Sequence, residues 1–231
     1  MTGRIKRFVN YRHSAVIAAS VLAVALSACA TVPTLNTMAW KEQVLLHDGS
    51  TIIVKRSQSY GGRHEPGQSP PIKEQEVTLT VPSSRQSLTW KSEYSEDIGR
   101  SNFRAVALHI LDGVPYVIAV PNLCLSFNKW GRPNPPYVIF RHDGQQWQRI
   151  SIEELPLEFN DINLVVATKA DEKIIRKQSV VSAELVRELN STLDQPEYQR
   201  ILREPLSREK CPRYSSGPKA PIPIEPGQTA Q

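Results

Sequence analysis

The sequence predicts a mainly β domain, an antiparallel sheet of sandwich- or barrel-like form with two C-terminal α-helices, with α+β as the alternative class. Three observations predict it. From Trp40 to about residue 168, apolar residues recur mostly with period two. Asp-Gly pairs at 48–49, 112–113 and 143–144 each sit between apolar runs, where Gly accepts the positive φ of a tight hairpin turn. After residue 182 the spacing changes to a helical one, with capping residues in place.

The elements follow in chain order. LLHDGSTIIVKR (45–56) is the first hairpin. VTLTV (77–81) puts Val77, Leu79 and Val81 on one face and two Thr on the other, and Leu88 and Trp90 alternate with Thr89 and Lys91 in a partner strand. FRAVALHILDGVPYVIAVP (103–121) is apolar on both faces of both runs, which places this hairpin at the centre of a sheet. PPYVIFRHDGQQWQRI (135–150) gives the next hairpin, and INLVVAT (162–168) reads as one more strand. PYVI occurs at 115–118 and again at 136–139, a repeat short enough to arise by chance among strand formers. SAELVRELN (182–190) has Ser182 as cap and Val186, Leu189 and Leu193 on one stripe. DQPEYQRIL (194–202) has Asp194 as cap, Pro196 in the first turn and Glu197 in the capping-box position, with Tyr198, Ile201 and Leu202 on one face. Both helices are expected to cover the sheet, whereas 169–181 fits no pattern.

The N-terminus carries a different message. Arg4, Lys6, Arg7 and Arg12 precede an apolar run at 15–26, well short of the roughly 20 residues a membrane-crossing helix needs. A basic segment, a short apolar segment and small residues describe a secretory signal that is removed. The run ends Leu26-Ser27-Ala28-Cys29, which resembles the lipobox of bacterial lipoproteins. That resemblance implies cleavage before Cys29, a diacylglycerol on its sulfur and acylation of its new amino group. Each buried methylene adds about 0.8 kcal/mol of membrane affinity, so several chains on Cys29 anchor the protein stably without a spanning helix. Ala rather than Asp at position 30 implies, within the Gram-negative family, release to the outer membrane. The expected organisation is a signal at 1–28, a tether at 29–39, a β-rich domain at 40–168, its helical cover at 169–214 and a disordered or polyproline-like tail at 215–231.

Processing changes the charge. The whole chain has 28 basic and 23 acidic residues; four of the former and none of the latter precede Cys29, leaving 24 against 23. The mature charges are interspersed, with no basic and aromatic stretch of the kind a nucleic-acid groove needs. No nucleic-acid partner is expected. Two cysteines, Cys124 and Cys211, then remain in an oxidising compartment and are expected to pair, pinning the C-terminal part onto the β-rich part. A reactive thiol at Cys124, or two buried thiols, are the other readings.

Catalytic templates fit poorly. SFNK (126–129) and SREK (207–210) both match the Ser-x-x-Lys of penicillin-recognising enzymes, but no Lys-Thr-Gly strand follows and neither opens a convincing helix. His47-Asp48-Gly49 and His142-Asp143-Gly144 are better explained as turns preceded by a strand-end His than as metal or general-base sites. His109, in an apolar strand, reads as a satisfied core residue, and His64 beside Glu65 is too isolated for a site. Glu153, Glu154, Glu158 and Asp161 read as a solvated acidic face, with Ser151 and Glu154 capping a short helical turn. No catalytic residue, metal site or cofactor is therefore expected. Two segments exceed the usual connection length: 57–75, with three Gly and three Pro, and 123–136, carrying Cys124, Phe127, Trp130 and Arg132. Trp130, Arg132 and Phe127, beside a disulfide, are the expected binding residues; Trp130 folded inward is the competing reading. The expected function is a lipid-anchored envelope protein at the periplasmic face of the outer membrane. It binds or scaffolds another envelope component, the membrane itself being engaged by the acyl chains. The alternative is an envelope hydrolase whose site is assembled from sequence-distant residues.

Overall fold

The structure, a computed structural model, describes residues 36–62, 64–97, 99–166, 168–207 and 211. Cys29, the lipobox, the first residues of the tether and the 215–231 tail lie outside the described residues, as does most of the SREK tetrapeptide. The fold is mainly β, built from two antiparallel sheets with short helices.

The first sheet is a meander of β1 (Thr37–Leu45), β2 (Thr51–Tyr60), β3 (Ile72–Thr80) and β4 (Ser87–Lys91). Period-two patterning decides its inner face: Trp40, Val44, Val54, Val77, Leu79, Leu88 and Trp90 are all buried. The expected turn at Asp48-Gly49 joins β1 to β2, with Gly49 at φ +81° and the Asp48 carboxylate accepting from the Ser50 amide and hydroxyl. The expected pairing of 77–81 with 88–90 also holds, Val77 opposite Trp90 and Leu79 opposite Leu88. Outside β1, Val181 exchanges backbone bonds with Lys41 and Gln43, blunting that sheet edge.

The second sheet runs β5 (Tyr94–Ser95), β6 (Ser101–Leu111), β7 (Val114–Pro121), β8 (Val138–His142) and β9 (Trp147–Ile150). Its central hairpin is buried on both faces, as its doubly apolar sequence predicts, and turns at Asp112-Gly113 with both φ values positive. One face packs on the first sheet through Phe103, Ala105, Leu108, Val117, Ala119 and Phe140. The other, with Val106, Ile118, Val120 and Ile139, lies under Leu155, Phe159, Ile162 and Ile201. The second sheet is thus the middle of three layers. The indole Nε1 of Trp147 donates to the Thr89 carbonyl at 2.9 Å, fastening the edge of one sheet to the edge of the other.

Three expectations need correction. Residues 162–166 are buried but form no strand, the chain bending at Leu164, because side chains take the place of a ladder. Leu164 N donates to the Val106 carbonyl at the β-bulge of β6, whereas Val165 N donates to the Glu42 carboxylate and Val166 N to the Asn190 amide oxygen. Asn163 completes the seam, accepting from Leu108 N and donating to the carbonyls of Leu45 and Leu108. Second, α1 (Leu123–Lys129) occupies a segment expected to be a loop. Third, only one C-terminal helix forms as expected, α3 (Ala183–Ser191), capped by Ser182 and packing Val186 and Leu189 onto Met38 and Trp40. Ahead of it, α2 (Glu172–Ile175) is one turn. At 194–202 there is only a 3₁₀ turn, Pro196–Tyr198. The Tyr137 hydroxyl lies within hydrogen-bonding distance of the carbonyls of Glu197 and Arg200, and Ile201 N bonds the Asn160 carbonyl, so tertiary partners claim the groups a helix would use. The short turn expected after Ser151 is present, with Glu154 accepting from Ser151 N as the capping box requires and Leu155 N donating to the Ile152 carbonyl.

His142 is a strand-end residue beside a turn, as expected, whereas His109 is a core residue satisfied only in part, its buried Nδ1 having no hydrogen-bond partner among the described residues. His142 is buried, accepts from Gly144 N and meets Trp147 edge-on. His109 is fully buried, stacks on Phe159 at 4.6 Å and hydrogen-bonds the Asp161 carbonyl through Nε2 at 3.0 Å. Burial holds its pKa down to about 4, the bond to Asp161 opposing this only in part. The unfolded chain therefore takes up the proton first, near pH 6.5, and stability present above that pH is lost progressively down to about pH 4. The loss is about 3 kcal/mol, since each tenfold difference in proton affinity between the folded and unfolded chain is worth about 1.4 kcal/mol. His109→Gln keeps a donor at the Nε2 position and removes the ionisation; urea midpoints measured between pH 4 and 7 are expected to be flatter for it than for the parent chain. Equal slopes would refute the assignment.

Candidate functional site

The two long segments singled out by sequence meet in space. Both are shorter as loops than expected, because β2 extends to Tyr60, β3 starts at Ile72 and α1 begins at Leu123. What is left of the first is 61–71, its neck closed by the bond from Gly61 N to the Pro71 carbonyl. This loop, the 96–100 turn and the outer face of α1 line a groove of about 800 Å³, with His64, Glu65, Glu96, Arg100, Leu123 and Leu125 among its walls.

A single side chain organises it. Asn102, buried at the start of β6, donates through Nδ2 to the carbonyls of Ile72 and Lys73, where the loop rejoins β3. Its amide oxygen accepts from Asn122, its backbone carbonyl from Asn122 N, and its own N–H donates to Ser126 Oγ on α1. Loop, strand and helix are thereby tied at one point. Lys129 at the end of α1 pairs with Asp97 at 2.6 Å, and the Tyr94 hydroxyl donates to Glu96. Burial, followed by that hydrogen bond to Glu96, pushes the Tyr94 phenol up to about 12, so it remains a donor throughout the physiological range. Gly99 has φ +102°, a backbone conformation that side-chain-bearing residues rarely adopt, and it lies close under Leu125, whose Cδ1 would stand 2.9 Å from a Cβ there.

Helix α1 inverts ordinary patterning. Ser126 is fully buried while Leu123 and Leu125 are 63% and 42% exposed. Leu123 also sits at φ +64°, a left-handed conformation that costs a bulky residue on the order of 1–3 kcal/mol. Solvent exposure and backbone strain together make it the least comfortable residue of the groove, and such outliers concentrate where a surface is shaped for contact.

The structure places the expected site residues differently from one another. Cys124 and Cys211 are joined as a disulfide, Cα atoms 5.5 Å apart, which ties the end of the described chain to α1. Phe127 and Trp130 are corrected: they are 4% and 6% exposed and belong to the interior, Trp130 packing on Phe103 with ring centroids 4.0 Å apart. Trp130 folded inward is the competing reading, and it holds. Arg132 is half-buried; its guanidinium lies 5.1 Å from the Phe127 ring and donates to Asn128 and to the Cys211 carbonyl, so it braces the disulfide. The Ser-x-x-Lys reading of 126–129 lacks an accessible nucleophile, since Ser126 accepts from Asn102 N and Lys129 is engaged by Asp97. Among the described residues no cluster of three or more His, Cys, Asp and Glu could hold a metal ion, and no helix is long and apolar enough to cross a membrane. Sequence reasoning singled out the two segments that meet at this groove but chose the aromatics over the exposed Leu123 and Leu125; the usable signal was two leucines around a cysteine, flanked by prolines at 121 and 133.

No protein-family model, curated protein or solved structure matches this chain.

Proposed function

We propose that this protein is a lipid-anchored component of the bacterial cell envelope, held at the periplasmic face of the outer membrane by acyl chains on Cys29, and that it binds an envelope protein in the groove between α1 and the 61–71 loop. The anchor rests on the lipobox resemblance at 26–29 and the basic, apolar segment before it. The binding role is carried by one observation: two exposed leucines, one of them strained, on a groove braced by Asn102 and by a disulfide. An apolar contact set on a rigid frame loses little conformational freedom on association, which favours a protein ligand.

The test uses the full chain in its native host. A photo-crosslinking residue at 123 or 125 is expected to capture one discrete envelope protein, and Leu123→Asp is expected to abolish capture from position 125 by at least tenfold. Cys29→Ser is expected to remove acyl labelling and release the protein from membranes. Capture unaffected by Leu123→Asp would refute the groove, continued labelling of the Cys29 variant would refute the anchor, and a specific hydrolytic turnover by the purified protein would overturn the non-enzymatic reading.

A further inference from the structure

The groove has a candidate occupant within the same polypeptide. We propose that residues 212–231 dock in cis on the face formed by Leu123, Leu125 and Arg100, so that an external partner must displace them; this rests on the groove being a binding surface. The first argument is where the described chain ends. Cys211 is bonded to Cys124, which itself lines the groove, and the Arg132 guanidinium donates to the Cys211 carbonyl, so the segment departs from the groove wall. The second is reach. Ile222 lies eleven positions after Cys211, about 34 Å if extended as polyproline at 3.1 Å per residue, so the groove is within range.

The third argument is chemical fit. The segment reads PRYSSGPKAPIPIEPGQTAQ, and Pro221-Ile222-Pro223-Ile224 holds its only large aliphatic side chains. Proline on both sides of Ile222 restricts its backbone to extended conformations, so less entropy is lost on docking, which is how proline-rich ligands bind apolar grooves. Lys219 precedes the apolar tetrapeptide and Glu225 follows it, whereas the groove offers Glu65 and Glu96 on one hand and Arg100 on the other. A tether this short gives an effective concentration on the order of 1 mM, so an affinity of about 100 µM fills the groove about ten times more often than it leaves it open.

The experiment uses the full mature chain with its disulfide intact and a fluorescent synthetic peptide of residues 214–231 as probe. Ile222→Asp/Ile224→Asp disarms the tail of the protein but not the probe. Fluorescence anisotropy is expected to show the peptide binding this variant about tenfold more tightly than the parent chain, and Leu123→Asp in the same background is expected to remove binding. Absence of binding to the tail variant, or equal binding to variant and parent, overturns the proposal, as does a concentration-dependent dimer in which the tail of one copy crosslinks to the groove of another. Failure of the two readings is separable. Partner capture from position 125 with no peptide binding leaves the groove standing and removes its resident tail. Peptide binding with no partner captured keeps the tail and removes the external partner.

Discussion

Cys124→Ala/Cys211→Ala is expected to lower the unfolding free energy by about 4–5 kcal/mol, the largest effect of any change considered for this fold. The two cysteines are 87 residues apart in sequence, and a cross-link closing so long a loop removes much of the conformational freedom of the unfolded chain. The loop contains α1, β8, β9 and the whole C-terminal cover, so what is restrained in the unfolded state is nearly half of the domain. In urea, where proteins of this size unfold with slopes of about 2 kcal/mol per molar, the midpoint should fall by roughly 2 M. The parent chain should show no free thiol under denaturing, non-reducing conditions. A midpoint shift under about 0.5 M would mean that the unfolded chain keeps these ends together without the bond.

The second large effect concerns a charge pair in the core. Glu42 on β1 and Arg56 on β2 have fully buried side chains 2.8 Å apart. Glu42 also accepts from Trp40 Nε1 at 2.7 Å and from Val165 N, and the Arg56 guanidinium lies 5.2 Å from the Trp40 ring. Arg56→Met removes the counter-charge but leaves the carboxylate inside, and about 3–5 kcal/mol of stability should go with it. Glu42→Gln should cost a similar amount, since it strands a guanidinium whose Nε and Nη2 already lack a hydrogen-bond partner among the described residues. The double variant should cost at least about 2 kcal/mol less than the sum, because neither charge is then left alone. Additive costs in urea denaturation would show that the two side chains act separately. The pair also opposes misregistration: a slip of one residue between β1 and β2 would send one partner to the outer face and separate the charges.

That pair illustrates what a sequence cannot announce. Alternation in TMAWKEQVL places Glu42 on the inner face with Trp40 and Val44, but its partner lies on another strand, and only the register of the hairpin brings them together. The hairpins themselves were legible, because turn chemistry and period two are local: Asp48-Gly49, Asp112-Gly113 and Asp143-Gly144 each lie where the chain reverses. The doubly buried β6–β7 hairpin was legible for the same reason. The segments that misled were those whose backbone groups are satisfied by distant side chains. Residues 162–166 look like a strand, yet Val165 N and Val166 N donate to the side chains of Glu42 and Asn190; 194–202 looks like a helix, yet the carbonyls of Glu197 and Arg200 lie within hydrogen-bonding distance of the Tyr137 hydroxyl. At the groove, prolines around 123–129 disguised α1, and the preference for aromatic anchors passed over the exposed leucines because Trp130 and Phe127 had an interior to fill.

The layer order carries a consequence for biogenesis. Ile118, Val120 and Ile139 are shielded by Leu155, Phe159, Ile162 and Ile201, and Arg203 secures that shield by donating to the carbonyls of Leu155, Pro156 and Phe159. A polypeptide emerging from its N-terminus thus presents a wet, sticky middle layer until almost the last of these residues is delivered. Cooperative folding has to wait until the C-terminal segment is complete, and a chaperone that shields apolar surface has its natural period of action in that interval.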